Sequence, residues 1–188
     1  MSMLKAILED HITAMYALET QFKEILQVGK VCSNALERGG KIYIFGNGGS
    51  ASDAQHFAAE LTGRFEKLRR PLPAIALTTD TSAITAIAND FGFEKIFQRQ
   101  LEAWSTTGDV VIGISTSGKS KNITAVFEDP KFNGLTKILL TGKNKPDLSG
   151  NIDYVLNTPS DVTARIQELH IFLLHCLCAI IDKEFSNE

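Results

Sequence analysis

Five short apolar runs alternate with longer segments of helical spacing, and this alternation constrains the fold more than any other feature of the chain. The apolar runs cover residues 41–45, 74–77, 110–114, 137–140 and 154–156, and helical segments lie at about 51–65, 81–89, 93–104, 119–128 and 160–184. Buried strands joined by helical crossovers are typical of a parallel sheet with helices on both faces. We therefore predict an α/β three-layer sandwich with a five-stranded parallel sheet.

The N-terminal part of the chain carries no such run. Apolar residues recur there at helical spacing from about residue 3 to 38, and Gly39-Gly40 ends the segment. A length of 188 residues with 44% hydrophobic residues suits one globular domain. We predict that residues 1–188 form a single domain with a helical segment at about 1–38.

Charge and composition exclude several classes of partner. A net charge of −3 gives no electrostatic reason to expect binding to nucleic acid or to an anionic membrane. Acidic residues stand where a signal peptide would be apolar, and the apolar run 171–181 is too short to span a bilayer. The three cysteines lack a disulfide spacing pattern. We expect a cytoplasmic protein without nucleic-acid or membrane partners, in which residues 67–70 form a solvated basic loop.

A glycine-rich turn connects the first apolar run to a helix. The turn reads Asn47-Gly48-Gly49-Ser50, and its glycines let the backbone approach a ligand closely. The helix start offers free N–H groups to an anion, so this turn is a candidate phosphate cradle. It matches neither the dinucleotide fingerprint nor the Walker loop, so we expect no nucleotide cofactor. The alternative is a tight strand-to-helix turn without a ligand.

A second candidate for phosphate binding follows the strand at 110–114. It contains four hydroxyl side chains and one glycine at a helix start: Ser115, Thr116, Ser117, Gly118 and Ser120. The alternative is a serine-rich helix cap. Because the carboxyl ends of parallel strands meet at one edge, we expect the loops 46–50, 78–82, 115–120 and 141–146 to gather there.

Titratable side chains next to the first turn suggest chemistry. His56 and Glu60 are four residues apart and share a helix face. With Gln167 and His175 they would supply two imidazoles, a carboxylate and an amide oxygen, which can hold zinc. A carboxylate and a histidine can equally act as base and acid. Spacing alone does not choose, and His170, whose polar neighbours are compatible with a surface position, rivals His175.

Three further polar residues complete the candidate set. On the predicted helix, Arg64 follows Glu60 by one turn and can contact a phosphate or sugar oxygen; the alternative is an exposed ion pair with Glu60. Asn89 and Asp90 are candidate contacts to substrate, and Asp90 can accept sugar hydroxyls. The alternative for Asp90 is a cap on the turn before Gly92.

Four blocks together resemble the sugar isomerase (SIS) superfamily and, within it, the phosphoheptose isomerases. They are GNGGSASDAQHFAAELTGRF, LPAIALTTDTSAITAIANDFGFE, GDVVIGISTSGKS and TARIQELHIFLLHCLC, and they spread from about residue 39 to 180. The resemblance implies a flavodoxin-like SIS fold and a homotetramer with active sites at subunit interfaces, for which the terminal helices offer packing surfaces. It implies interconversion of sedoheptulose 7-phosphate and D-glycero-D-manno-heptose 7-phosphate through an enediol. This reaction is the first step of bacterial heptose biosynthesis, which feeds glycans such as lipopolysaccharide and capsule.

The resemblance also assigns roles to residues of this sequence. It implies one zinc ion per subunit held by His56, Glu60, Gln167 and His175, with Glu60 and His175 as base and acid. It implies phosphate contacts from Ser50, Ser115, Thr116, Ser117 and Ser120. The full set of predicted substrate contacts adds Asn47, Gly48, Gly49, Arg64, Asn89, Asp90 and Gln167. Lys119 and Ala164 depart from the family, which commonly has asparagine at the first position and in some members aspartate at the second.

Two alternatives remain open. A relative that binds the bacterial replication initiator resembles this chain, but positions matching Glu60 and His175 are not retained in it. Arabinose 5-phosphate isomerases are also related, but they usually carry regulatory domains for which 188 residues leave no room.

Overall fold

The computed structural model describes residues 1–143 and 151–186. In chain order its elements are α1 (Ser2–Ala17), α2 (Phe22–Glu37), β1 (Ile42–Gly46), α3 (Gly49–Thr62), β2 (Ala74–Ala76), α4 (Thr81–Phe91), α5 (Ile96–Trp104), β3 (Val110–Ser115), α6 (Lys121–Glu128), β4 (Thr136–Thr141), β5 (Tyr154–Asn157) and α7 (Thr163–Phe185). Three short 3-10 turns lie at Leu18–Gln21, Phe93–Lys95 and Pro130–Phe132. The predicted alternation of strands and helices is confirmed.

The sheet has the order β2-β1-β3-β4-β5, and every neighbouring pair is parallel. This is the flavodoxin-like order, in which the chain reverses its direction of travel across the sheet between β1 and β3. The carboxyl ends of these two strands therefore flank the crevice where such sheets bind ligands.

Alternate residues of the strands face two separate cores, which makes the fold a three-layer sandwich. Ile42 and Ile44 point into a core shared with α2, α3 and α7, whereas Tyr43 and Phe45 point into one shared with α5 and α6. All four side chains are fully buried. The alternation explains why the strands are apolar throughout: both faces of the sheet are covered.

The N-terminal helical segment is broken by the 3-10 turn at Leu18–Gln21. A straight helix over the same residues would extend about 50 Å, so the break is what allows both α1 and α2 to pack against α7. Polar contacts hold α1 there: Arg165 donates to the carbonyl of Ile7 at 2.8 Å, and His11 Nδ1 lies 2.7 Å from a carboxylate oxygen of Glu168.

Two expectations about the segment after α3 are wrong. The predicted helix at 51–65 ends at Thr62, because Gly63 leaves helical geometry, so Arg64 lies beyond the helix. The basic stretch 67–70 is not simply a solvated loop, because the side chain of Arg69 is fully buried in an ion pair with Asp182.

The last helix is longer than the apolar run within it. By length and composition alone the 23 residues of α7 could cross a membrane, and half of its most apolar stretch is buried within the protein. The run 171–181 is too short to span a bilayer, as expected, but the whole of α7 is long enough to do so. However, α7 packs against α2 and α3 and buries Arg165, His170 and Asp182. This environment is that of a core helix.

His170 is fully buried, and a surface position for it is wrong. Among residues 1–143 and 151–186, neither ring nitrogen has a partner at ordinary hydrogen-bond distance and angle. Burial lowers the pKa of His170 to about 4, and the nearby Thr141 carbonyl offsets part of that effect. The imidazole is therefore neutral at physiological pH.

This burial predicts a pH-dependent stability. The unfolded chain protonates this histidine below about pH 6.5, whereas the folded protein resists protonation down to about pH 4. The contribution of His170 is therefore complete above pH 6.5 and falls as the pH drops toward 4, by up to about 3 kcal/mol. In urea unfolding at a series of pH values, His170→Leu should show a flatter dependence than wild type. Leu174→Ala, at a fully buried apolar position of the same helix, is the control: it should lower stability at every pH and keep the wild-type slope. Equal slopes for wild type and His170→Leu would contradict the assignment.

Candidate active site

The loops at the carboxyl edge of the sheet are tied together by hydrogen bonds. Asn47, after β1, and Asn122, at the start of α6, exchange two amide hydrogen bonds of 2.9 and 2.8 Å. The Gly142 N–H donates to the carbonyl of Thr116 at 3.1 Å, and Gln55 on α3 donates to Thr78 at 3.2 Å. The predicted gathering of loops is found; of the expected loop 141–146, residues 144–146 lie outside the described residues.

The glycine turn brings a residue of α7 to the start of α3. Gly48 has φ +56°, a conformation that side chains rarely adopt. A Cβ added to Gly49 would lie 2.2 Å from Nε2 of Gln167, so the Gln167 amide occupies the space that a side chain would need. Ser50 is buried directly behind the turn. The turn thus places Gly48, Gly49, Ser50 and Gln167 at the N-terminal end of α3.

The serine loop does not behave as a helix cap. Ser120 is the N-cap residue of α6, but its side chain makes no capping hydrogen bond. Instead its Oγ lies 3.0 Å from Oγ of Ser115, across a turn in which Gly118 has φ +66°. Ser117 accepts a hydrogen bond from the Lys119 N–H. The hydroxyls of Ser115 and Ser120 are therefore not consumed by the helix end.

His56, Glu60 and His175 converge between α3 and α7. His56 Nε2 lies 3.0 Å from Oε1 of Glu60 and 3.4 Å from Nε2 of His175. The two rings are edge to face with centroids 5.0 Å apart, and Phe65 stacks on His175 at 5.4 Å. About half of the His56 side chain and a quarter of Glu60 are exposed, so the cluster is open to a ligand.

Gln167 is not part of this cluster within one chain. Gln167 lies beside Gly49 and His175 lies beside His56, so α3 and α7 run in the same direction. About 10 Å of helix separates Gly49 from His56, at roughly 1.5 Å per residue. The structure therefore brings together three of the four predicted zinc ligands and leaves Gln167 about two helical turns away.

The donor chemistry of the cluster fits zinc. An imidazole nitrogen carries one proton or one lone pair, so a single proton on His56 Nε2 would have to serve both Glu60 and His175. Donor atoms around tetrahedral zinc, at about 2.0–2.1 Å from the metal, lie about 3.3 Å from one another, similar to the spacings here. Yet in the described part of the chain no three His, Cys, Asp or Glu side chains form a group arranged to hold a metal. The four-ligand site stays a prediction.

A neighbouring carboxylate adds to the electrostatics of the site. Asp53 lies on α3 three residues before His56, and its Oδ2 is buried with no hydrogen-bond partner in the part of the chain that the structure describes. Burial raises the pKa of Asp53, and the charge of His56 partly opposes that rise. Sequence spacing gave no reason to single out Asp53. The same is true of Asn122 and Phe65, which depend on pairings distant in sequence.

The remaining candidates lie apart from the cluster. Arg64 is exposed and, among the described residues, makes no ion pair with Glu60, so that alternative is wrong. Asp90 lies inside α4 and accepts a hydrogen bond of 2.7 Å from the Asn89 side chain, while Gly92 makes the turn. Asn89 and Asp90 are both exposed. Their roles in substrate binding stay predictions.

Comparison with known proteins gives separate evidence on the family and the fold. The SIS domain family matches residues 9–142. The chain is 50% identical over 177 residues to phosphoheptose isomerase 1 of Campylobacter jejuni, covering 94% of this chain and 95% of that protein. It is 51% identical over 168 residues to a probable phosphoheptose isomerase of Thermoplasma acidophilum, covering 89% and 92%. The solved phosphoheptose isomerase of Neisseria gonorrhoeae superposes with a TM-score of 0.90 at 41% identity, covering 97% and 98% of the two chains.

The serine loop predicts measurable binding of phosphate alone. Replacing both Ser115 and Ser120 by alanine should weaken binding of inorganic phosphate at least ~10-fold, since one hydrogen bond to a charged group contributes about 1.5–3 kcal/mol. An NMR titration with phosphate measures the affinity. Ser105→Ala, whose hydroxyl donates to a carbonyl at the end of α5, is the control and should bind as wild type. Equal phosphate affinities for all three proteins would show that the serine loop only starts α6 and does not bind phosphate.

Proposed function

We propose that this chain, which belongs to the SIS domain family, is an aldose–ketose isomerase that converts sedoheptulose 7-phosphate to D-glycero-D-manno-heptose 7-phosphate. The observation that carries the proposal is about 50% identity to phosphoheptose isomerases along nearly the whole chain. The convergence of a carboxylate and two imidazoles, about two helical turns along α3 from the candidate phosphate-binding turns, supports it. The non-catalytic initiator-binding alternative is not favoured, because Glu60 and His175 are both present. Their side chains lie 3.0 and 3.4 Å from Nε2 of His56.

The phosphate end of the substrate is proposed to bind at the switch point of the sheet. The hydroxyl oxygens of Ser115 and Ser120 lie 3.0 Å apart, and α3 begins at Gly49, directly after the neighbouring glycine turn. The start of a helix attracts an anion. Ser50, Thr116 and Ser117 complete the proposed phosphate contacts. Holding this end fixes the position of the reacting carbons, which converts binding into orientation.

The reacting end is proposed to lie over Glu60 and His175. Isomerisation removes a proton from C1 of the ketose, forms an enediol, and returns a proton to C2. We assign the carbon-bound proton to Glu60, whose carboxylate is partly desolvated, and the transfer between the two sugar oxygens to His175. Phe65 stacks on His175 and fixes the plane of its ring.

We further propose that His56, Glu60, His175 and Gln167 hold zinc. When bound, the ion would supply Lewis-acid stabilisation of negative charge on the sugar oxygens. The support is the donor set itself: two imidazole nitrogens and a carboxylate oxygen with too few protons to satisfy one another. Titration of the wild-type protein with zinc, and of His56→Ala as comparison, tests binding without reference to activity.

We propose a homotetramer with active sites shared between subunits. Two observations support this. Gln167 lies about two helical turns from the other three ligands of its own chain. Large apolar side chains of the first two helices are exposed: Met3, Leu4, Ile7, Leu8, Ile12, Tyr16, Phe22 and Leu26. The α2–α7 groove lined by Phe22, Leu26, Phe172 and Cys176 continues this apolar surface. A second copy of the chain would cover it.

The biological setting is also a proposal. We place the enzyme in the cytoplasm at the first step of bacterial heptose biosynthesis, supplying glycans such as lipopolysaccharide or capsule. The free state of all three cysteines is compatible with a reducing compartment. That residues 1–188 make up one SIS domain stays a proposal.

Replacing the proposed base should abolish turnover without unfolding the protein. Glu60→Gln keeps the shape of the side chain and removes its negative charge, and loss of a general base costs about 10²-fold or more. The measurement is conversion of sedoheptulose 7-phosphate followed by NMR, with the unfolding midpoint as a check on the fold. Glu66→Gln, at an exposed position in the loop after α3, is the control. Turnover within about threefold of wild type would remove Glu60 from the base role.

Shared sites predict complementation between inactive variants. The pair to mix is His56→Ala, in the cluster that one chain supplies, and Gln167→Ala, in the ligand proposed to come from another chain, and each homo-oligomer should be inactive. If a site draws ligands from two chains, mixing the two under subunit exchange should restore part of the activity, because some sites then receive only native side chains. Isotope-labelled subunits and native mass spectrometry verify the exchange. Complete exchange with no recovered activity would contradict shared sites.

A further inference from the structure

A buried ion pair outside the proposed site joins the end of α3 to the end of α7. Nε of Arg69 lies 2.7 Å from Oδ1 of Asp182, and the two side chains are 0% and 2% exposed. No step of the proposed reaction uses either residue. Buried charges are costly unless they are fully hydrogen-bonded, so the partners of this pair identify what it holds in place.

Arg69 satisfies the open end of α3. Its Nη2 donates to the carbonyl of Glu60 at 2.9 Å, and its Nη1 donates to the carbonyl of Leu61 at 3.0 Å. The last carbonyls of a helix have no partner within the helix. The planar guanidinium supplies several donors in a fixed fork and serves two of these carbonyls together with Asp182.

Asp182 holds the loop that follows α3. Its Oδ2 accepts hydrogen bonds from the N–H groups of Glu66 and Lys67, both at 3.0 Å. Burial alone would raise the pKa of Asp182, but these backbone hydrogen bonds and the Arg69 guanidinium outweigh burial and lower it. The carboxylate therefore stays charged. We call Arg69 and Asp182 with these four backbone partners the α3–α7 clamp.

The clamp adjoins the proposed catalytic groups on both helices. One of its hydrogen bonds ends on the backbone of Glu60 itself. The loop segment between Gly63 and Glu66 carries Phe65, which stacks on His175. On α7 the clamp lies two helical turns beyond His175, on the same helix. Glu60 and His175 thus sit between the contact of Gln167 with Gly49 at one end of the helix pair and the clamp at the other.

We propose that Arg69 and Asp182 are positioning residues for the isomerase, which hold Glu60 and the Phe65–His175 stack in register across α3 and α7. This inference rests on the proposed function for its kinetic consequence and on the hydrogen bonds alone for its structural one. A misplacement of about 1 Å at a reacting group can cost ~10²-fold in rate. The proposed phosphate site lies at the opposite, N-terminal end of α3, so we expect phosphate binding to be unaffected by substitutions in the clamp.

The kinetic test compares two buried carboxylates in matched environments. Asp109 is also buried and also accepts two backbone N–H groups, from Lys41 and Thr106, but it lies at the opposite edge of the sheet. Asp182→Asn and Asp109→Asn should both lower the unfolding midpoint. Per folded molecule, only Asp182→Asn should lower kcat, about 10- to 100-fold, with KM nearly unchanged. Wild-type kcat in Asp182→Asn, or an equal loss in Asp109→Asn, would overturn the proposal.

A second variant and a second readout separate the clamp from the reaction. Arg69→Lys keeps the charge but cannot reach both carbonyls and Asp182, so its kcat should fall like that of Asp182→Asn. Amide hydrogen exchange in the segment 60–70 should accelerate in both variants and not in Asp109→Asn. If the wild-type protein fails to isomerise the substrate, the proposed function fails, while exchange still decides the clamp. Unchanged exchange in Asp182→Asn overturns the clamp whatever the activity.

Discussion

The parallel packing of α3 against α7 is the constraint on which the rest of the site depends. Three contacts fix the pair along its length: Gln167 on Gly49, His175 on His56, and the buried Arg69–Asp182 ion pair. Because both helices point away from the carboxyl edge of the sheet, the two turns proposed to bind phosphate lie at one end and the titratable cluster lies further along. This separation suits an extended sugar phosphate, held at its charged end and altered at the other.

Most of the fold is predictable from the sequence because periodicity reports burial. The strands are apolar on both faces, and the helices between them show a 3.6-residue pattern. The five strands and their alternation with helices along the chain therefore follow directly from the sequence. Boundaries depend on tertiary packing instead. The 3-10 turn at Leu18–Gln21 lies inside a continuous helical pattern, and only the need to pack both α1 and α2 on α7 explains it.

The candidate site is predictable in its local parts and not in its long-range ones. His56 and Glu60 are close to each other in sequence, and so are the residues of the serine loop. Each group has the local arrangement that its sequence spacing predicted. The partners of each are distant: Asn122 pairs with Asn47, and Phe65 stacks on His175. The prediction that Arg69 lies in a solvated loop rested on its charge and is wrong. Its guanidinium is buried among helix carbonyls and a carboxylate that are not identified by any local sequence pattern.

The central claim is that Glu60 removes a proton from C1 and returns one to C2 of a phosphorylated heptose, while His175 transfers the proton between the two sugar oxygens. NMR of sedoheptulose 7-phosphate incubated with the protein in deuterium oxide tests it most directly. The account predicts an aldose 7-phosphate of the same composition that carries solvent deuterium at C2, because an enediol receives its proton there from an exchangeable acid. Unchanged ketose in the presence of folded, zinc-supplied protein would contradict the account, as would an aldose that never acquires deuterium at C2.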